Sequence, residues 1–378
     1  MDTMANLDDY RREIDGIDRQ LLALFEQRMD VVLRVAQYKR ENHMEVFQGA
    51  REKQVIDRAV SLVQNPAYRE AAASFVRHNM ALSRALQKEL LAGTEQPAPL
   101  AGNGLVAYQG VAGSFSEEAL LEYFGEGRQR KNYDEFEDVF RAIEAGEAEY
   151  GVVPIENSST GGIAQVYDLL LQYHCFICGE QYVKVDQHLL ALPGATLSGL
   201  RRVYSHAQGI AQSAEFLARH EYIQPIPMRN TAVSAKYVQE SGDPRLGAIA
   251  SARAAKLYGL AVLQECVNTE KDNTTRFVIV CKDRTPAPQA DKVSVAFSLD
   301  DRVGTLYNLL HYFAEAHINM KKIESRPLKG HPFEYIFYVD FEGDMSGDTE
   351  QAALEKIREA SSFFRVLGAY RNRLERRG

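Results

Sequence analysis

"LAGTEQPAPLAGNG", Leu91–Gly104, gathers proline, alanine and glycine between two stretches of different periodicity, and reading it as a linker decides how the chain is parsed. A second Pro-Ala-Pro stretch, "DRTPAPQADK" (Asp283–Lys292), repeats the signal. Together they divide the 378 residues into a helical N-terminal segment, a central α/β segment and a smaller C-terminal segment. Two or three domains are what this length suggests. The expected boundaries are 1–92, a linker at 93–103, 104–283, a linker at 284–291, and 292–372.

Lys and Arg number 44 against 52 Asp and Glu, a net charge of −8, which argues against a nucleic-acid or anionic-membrane partner. The opening "MDTMANLDDYRREID" is acidic and has no apolar core, so no signal peptide is expected. No apolar run approaches the roughly 20 residues that cross a bilayer. The expectation is a cytoplasmic protein. Cys175 and Cys178 in "CFIC" have a metal or redox spacing, but they sit in a strand-like stretch, where a separation of three points side chains to opposite faces. No second pair completes a site. All four cysteines, with Cys266 and Cys281, are therefore expected as buried, reduced thiols, and no metal or cofactor is expected.

From Leu7 to Asn42 no proline interrupts a helical stripe of Leu7, Ile14, Ile17, Leu21, Phe25, Val32 and Val35. A second helix is expected from Ala50 to Val63. A third starts at Asn65-Pro66, cap and first turn, and runs to Leu91. The first helix would be about 54 Å long, more than the rest of a small domain covers, so an intertwined homodimer is expected. Arg28 and Lys39, eleven positions apart, lie within about 20° on one face and roughly 16 Å apart, a spacing that suits a small dianion. Arg11, roughly 25 Å before Arg28, reaches such a ligand only from a partner chain. Solvated surface charge is the bland account of each residue alone.

The segment resembles the all-helical class of chorismate mutase along its whole length, through Arg11 in "YRREID", Arg28 in "EQRMDVV", Lys39 in "AQYKRENH", Arg51-Glu52 in "GAREKQV", and Ser83 with Gln87 in "LSRALQKE". The resemblance implies that the partner's copy of Arg11, and Arg28 assisted by Ser83, hold two carboxylates. Lys39 and Gln87 would meet the ether oxygen, Glu52 would take the ring hydroxyl, and Arg51 and Gln48 would be further binding positions. Members often carry an acid where Gln48 stands. Gln48 hydrogen-bonds without supplying charge, so hydroxyl recognition is expected to be altered.

In the central segment four strand ends deliver Ser, Thr or Asn towards helix starts: "VAGSFSEEALLEYF", "PIENSSTGG", "VYSHAQG" and "MRNTAVSA". N-capping alone accounts for each. Four together, without a phosphate-loop glycine pattern, suit a carboxylate-binding cleft. The segment resembles prephenate dehydratase through "AYQGVAGSFSEEA", "GVVPIENSSTGG", "VYSHAQGIAQ", "NTAVSA", "GAIAS" and "NTTRFVIV". That implies two α/β lobes around a cleft holding Asn157, Ser205, Gln212 and Thr275, with Ser114 and Thr231 lining it. Thr274 and Arg276, alternating with Thr275, are expected to face away.

The C-terminal segment reads strand, helix, strand, strand, helix, strand, the ferredoxin-like α+β order. It resembles an ACT domain through "VGTL" and "ESRP". The resemblance implies feedback by L-phenylalanine near Gly304, Thr305, Leu306, Glu324, Ser325 and Arg326, usually at a dimer interface. The Arg-rich tail after Tyr370 reads as a solvated end. The whole is thus expected to take chorismate through prephenate to phenylpyruvate. A dehydratase preferring arogenate, and a catalytically silent amino-acid sensor, stay open as alternatives, as does pairing of dimers into tetramers.

Overall fold

The computed structural model describes residues 7–41, 49–91, 103–282, 287, 289–328, 333–345 and 347–373. The chain forms two compact units that divide between Ala98 and Pro99, inside the first expected linker.

The first unit is helical: α1 (Leu7–Glu41), α2 (Gly49–Ser61) and α3 (Arg69–Leu91), the last entered through a 3₁₀ turn at Pro66–Tyr68. Asp8 and Asp9 occupy the first turn of α1, where the helix dipole favours them. Asn65 Oδ1 accepts the Ala67 N–H at 3.0 Å, with Pro66 in the first position. α3 packs against both α1 and α2. That leaves much of the stripe uncovered: Leu7, Ile14, Ile17 and Leu21 are 63, 56, 50 and 46 % exposed. Contiguous apolar surface of this kind marks an interaction face.

The second unit begins with a lobe of strands β1 (Val106–Gln109), β2 (Arg130–Tyr133), β3 (Tyr150–Asn157), β4 (Gly161–Gly162) and β5 (Phe176–Lys184), with helices α4 (Phe115–Phe124), α5 (Phe136–Glu144) and α6 (Ala164–Gln172). The chain crosses to a second lobe of β6 (His188–Ala191), β7 (Arg202–His206), β8 (Gln224–Met228), β9 (Leu246–Ala250) and β10 (Ala261–Gln264), with helices α7 (Ala207–Gln212), α8 (Ala214–Ala218), α9 (Thr231–Ser241) and α10 (Ala252–Tyr258). It then returns as β11 (Thr274–Cys281), which inserts antiparallel between β3 and β5. The sheet orders are β2-β1-β3-β11-β5, with β4 on β3, and β10-β6-β9-β7-β8. β11 reads as a nearly unbroken apolar run because both its faces are buried. Cys175 and Cys178 fall into different cores on the two faces of this sheet, as their spacing requires. Burial pushes the Cys175 thiol up to about 12. Cys266 departs from expectation: it is exposed, at φ 48° on the return crossing, because that connection runs over the surface.

β12 (Lys292–Ser298), α11 (Thr305–Glu315), β13 (Met320–Pro327), β14 (Tyr335–Glu342), α12 (Asp348–Glu359) and β15 (Phe363–Tyr370) complete the unit, with sheet order β13-β14-β12-β15. This sheet has one core of its own and a second shared with the first lobe, where Ala296, Ile336, Tyr338, Leu367 and Tyr370 join Ile177, Val278 and Val280. β15 reaches β5 because position 368 is glycine; a Cβ there would collide with the Ile177 carbonyl. The tail also differs from a solvated end. The Arg373 N–H donates to Glu180 Oε1 at 3.1 Å, and its guanidinium lies 4.0 Å from the Tyr123 ring centre. Among the described residues no helix is long and apolar enough to cross a membrane.

Candidate active site

Capping separates the four strand ends. Ser114 caps α4, accepting the Glu117 N–H at 3.4 Å, while Glu117 reaches back to the Gly113 N–H at 2.7 Å. Burial opposes ionisation of Glu117, but the Gly113 N–H, Arg130 and Arg253 outweigh it and hold its carboxyl below the usual range. Asn230 caps α9 through the Ala232 N–H at 2.8 Å, so Thr231 is the first residue of that helix. Gly110, at φ +110°, lies between these ends; a Cβ there would lie 3.1 Å from Ser114 Oγ and 3.5 Å from Asn230 Nδ2.

Asn157 and Ser205 cap no helix. α6 has no side-chain cap, and His206 caps α7. Ser205 is fully buried and donates to the Ile249 carbonyl at 2.7 Å, leaving its lone pairs directed elsewhere. It borders Gly209: a Cβ there would meet Ser205 Oγ at 2.6 Å, Thr231 Cγ2 at 3.5 Å and Gln187 Nε2 at 3.6 Å. Gln212, half-buried at the end of α7, accepts the Thr269 N–H on its backbone carbonyl at 2.8 Å.

Thr275 and Asn157 are register partners across β11 and β3, and Asn157 Nδ2 donates to Thr275 Oγ1 at 2.9 Å. Asn157 Oδ1 meanwhile accepts the backbone N–H groups of Ser159 at 3.0 Å and Thr160 at 3.2 Å. Those donors settle which end of the amide is oxygen. Thr275 Oγ1 is therefore the acceptor, and no described residue takes its proton. Gln208 Nε2 on α7 bonds Thr160 Oγ1 at 3.2 Å, tying the Asn157 loop to the second lobe.

The back of the same ladder is ionic. Arg276, 5 % exposed, donates to Glu180 at 2.8 Å, Asp340 at 2.5 Å and Tyr370 OH at 2.7 Å, and faces away from Thr275 as alternation requires. Lys292 adds 2.9 Å to Glu180. Glu156, beside Asn157, meets Lys322 of β13 at 2.8 Å. Burial raises the Asp340 carboxyl, but Arg276, Lys292 and Ser294 outweigh it and bring it below the ordinary range.

The sequence motifs single out neither Gln187 nor Asn273 nor Glu118. Gln187 Oε1, Ser213 Oγ and Asn273 Nδ2 are buried without hydrogen-bond partners. Burial first, then Glu122, pushes the Glu118 carboxyl up to about 7. Alternation along "NTTRF" was the available signal for Asn273, since 273 and 275 share a face.

In the helical unit Arg28 bonds Ser83 Oγ and, at 3.3 Å, the Asn79 carbonyl. Ser83 gives its own proton to Asn79 O at 2.6 Å, so its lone pair is free for Arg28. Arg11 is exposed and pairs with Asp8 at 3.0 Å. Gln48 and the side chains of Lys39, Arg51, Glu52 and Gln87 lie outside the described residues. In the C-terminal sheet Gly304 holds a left-handed φ of +85° before α11, and Thr305 Oγ1 bonds the Asp300 and Arg302 carbonyls at 3.1 and 3.0 Å. Leu306 packs into that sheet's core. Of the second motif, Ser325 is exposed, while Arg326 turns to Asp168 at 3.4 Å and Glu324 lies against Gly162.

The chain matches the family models for chorismate mutase type II over residues 10–88 and prephenate dehydratase over residues 106–285. It is 32% identical over 362 residues to the bifunctional chorismate mutase/prephenate dehydratase of Neisseria gonorrhoeae, covering 96% of each chain. The chain belongs to the bifunctional chorismate mutase/prephenate dehydratase family. Its two units carry the two enzymes, and the silent-sensor alternative falls away. Over 303 residues, 72% of this chain and 76% of the other, it is 37% identical to arogenate dehydratase/prephenate dehydratase 1 of Arabidopsis thaliana. A solved prephenate dehydratase from Arthrobacter aurescens, in complex with L-Phe, is similar at a TM-score of 0.66 and 31% identity, covering 71% of this chain and 90% of that one.

Proposed function

We propose that the chain converts chorismate to prephenate in the helical unit and prephenate to phenylpyruvate between the two lobes, under feedback by L-phenylalanine at an ACT-type C-terminal sheet. The observation that carries the second step is the Asn157–Thr275 hydrogen bond, which leaves the Thr275 proton uncommitted. As the ring aromatises, carbon dioxide and hydroxide leave. A positioned O–H aimed at the departing oxygen stabilises the charge that develops there. Ser205, Gln212, Ser114 and Thr231 line the polar wall that takes the carboxylates.

For the first step, an antiparallel homodimer covers the exposed stripe of α1 and brings the partner's copy of Arg11 towards Arg28 and Lys39. The rearrangement breaks one C–O bond and forms one C–C bond within a single molecule, so orientation and donors to the ether oxygen suffice. The domain limits are those read from the sequence, with Gly304, Thr305, Leu306, Glu324, Ser325 and Arg326 near the effector. Preference for arogenate is a second reading, favoured by the 37% identity to the plant enzyme. Purified protein without added cofactor should consume chorismate and form phenylpyruvate, and phenylalanine should slow the second step. If arogenate turns over faster than prephenate, the second reading replaces the first; if neither product forms, both fall.

A further inference from the structure

Asn273 closes the return crossing one residue before β11. It is 2 % exposed, and its Oδ1 accepts Asn157 Nδ2 at 2.7 Å. The assignment of its amide follows from hydrogen-bond logic. Ser159 and Thr160 give backbone N–H groups to Asn157 Oδ1, so Asn157 presents nitrogen to Asn273, and the atom of Asn273 that meets it is oxygen. Its Nδ2 is then left buried with no partner. A buried unpaired donor next to a reaction centre calls for a ligand. Asn273 Oδ1 and Thr275 Oγ1 receive the same Asn157 nitrogen, and residues 273 and 275 share a face of the strand. The Asn273 amide and the Thr275 hydroxyl are therefore neighbours around Asn157 Nδ2, each with a donor that no described residue accepts.

We propose that Asn273 is a substrate-contacting donor of the dehydratase, and that its Nδ2–H and the Thr275 hydroxyl together hold the oxygen that leaves as hydroxide. The inference rests on the dehydratase reading of this cleft. It assigns Asn273 a role in the transition state beyond orienting Asn157.

Asn273→Asp decides between these roles, because it keeps the acceptor for Asn157 and removes the donor. In the full-length protein, Asn273→Asp and Asn273→Ala should both lose about 100-fold in dehydratase kcat, with KM for prephenate changed less than threefold. Mutase activity should be unchanged. Asn273→Asp, unlike Asn273→Ala, should regain activity as pH falls and its carboxyl takes up a proton and becomes a donor again. Retention of full activity by Asn273→Asp alone would make the residue a support for Asn157 and overturn the proposal, as would near-normal kcat in both variants. Thr275→Ala measured alongside separates the two levels. If it too stays active, the reading of the cleft fails; if it is dead while both Asn273 variants work, only this inference fails.

Discussion

The helical unit and the two-lobed unit bury their apolar residues in opposite ways. α1 carries Leu7, Ile14, Ile17 and Leu21 half in water, and among the described side chains of that unit only Ser83, on α3, is buried. The two-lobed unit closes several cores within one chain and extends one of them into the C-terminal sheet. A long helix exposes more apolar length than a short chain can cover, whereas a sheet flanked by helices covers itself. Under the proposed function, chemistry follows the same division. Thr275 has its partners within its own chain; Arg28 has Ser83 but is too far along the helix from Arg11 of the same chain.

Thr275→Ala should break the comparison on the self-contained side, cutting dehydratase kcat by about 1,000-fold. Thr275→Ser should keep much of the activity, and mutase turnover, assayed on the same samples, should be untouched by either. Next in size is the ionic back of β11. Asp340→Asn leaves Arg276 short of a buried partner and should cost about 3 kcal/mol of stability in the two-lobed unit. Denaturant unfolding followed by tyrosine fluorescence measures it, and an unchanged midpoint would mean that water replaces the lost partner. On the incomplete side, mixing Arg11→Ala with Lys39→Ala subunits should restore mutase activity that neither variant has alone. No complementation would place Arg11 outside the site.

The smallest effect concerns Glu118. Its folded carboxyl titrates near 7 against an ordinary value of 4.5, so between these pH values the folded state holds a proton that the unfolded state has lost. Stability therefore falls as pH rises through that window. Glu118→Gln should flatten the fall and gain on the wild type from pH 5 to 8, read as a growing difference in Tm.

Much of this was legible in residue order. Asn65-Pro66 announced α3, the stripe from Leu7 marked α1, and alternation along "NTTRFVIV" separated Thr275 from Arg276. The tail was not legible, because nothing local in "RNRLERRG" says that Arg373 will find Tyr123. Nor was the shared core, since a Pro-Ala-Pro linker signals a boundary in the chain and not whether the flanking surfaces dock. Ser114, three residues before Glu117, has the spacing of a capping box, and the structure forms that cap; only the fold sends the proton of Ser205 to Ile249.

By itself the sequence determined periodicity, breaks and motif chemistry, because helix and strand repeats and turn residues act over a few positions. The tertiary structure alone decided which polar atoms are left unpaired. That depends on partners more than a hundred residues away, as Asn157 with Asn273 and Thr275 shows, and a hydrogen bond has no signature until both of its ends are in place.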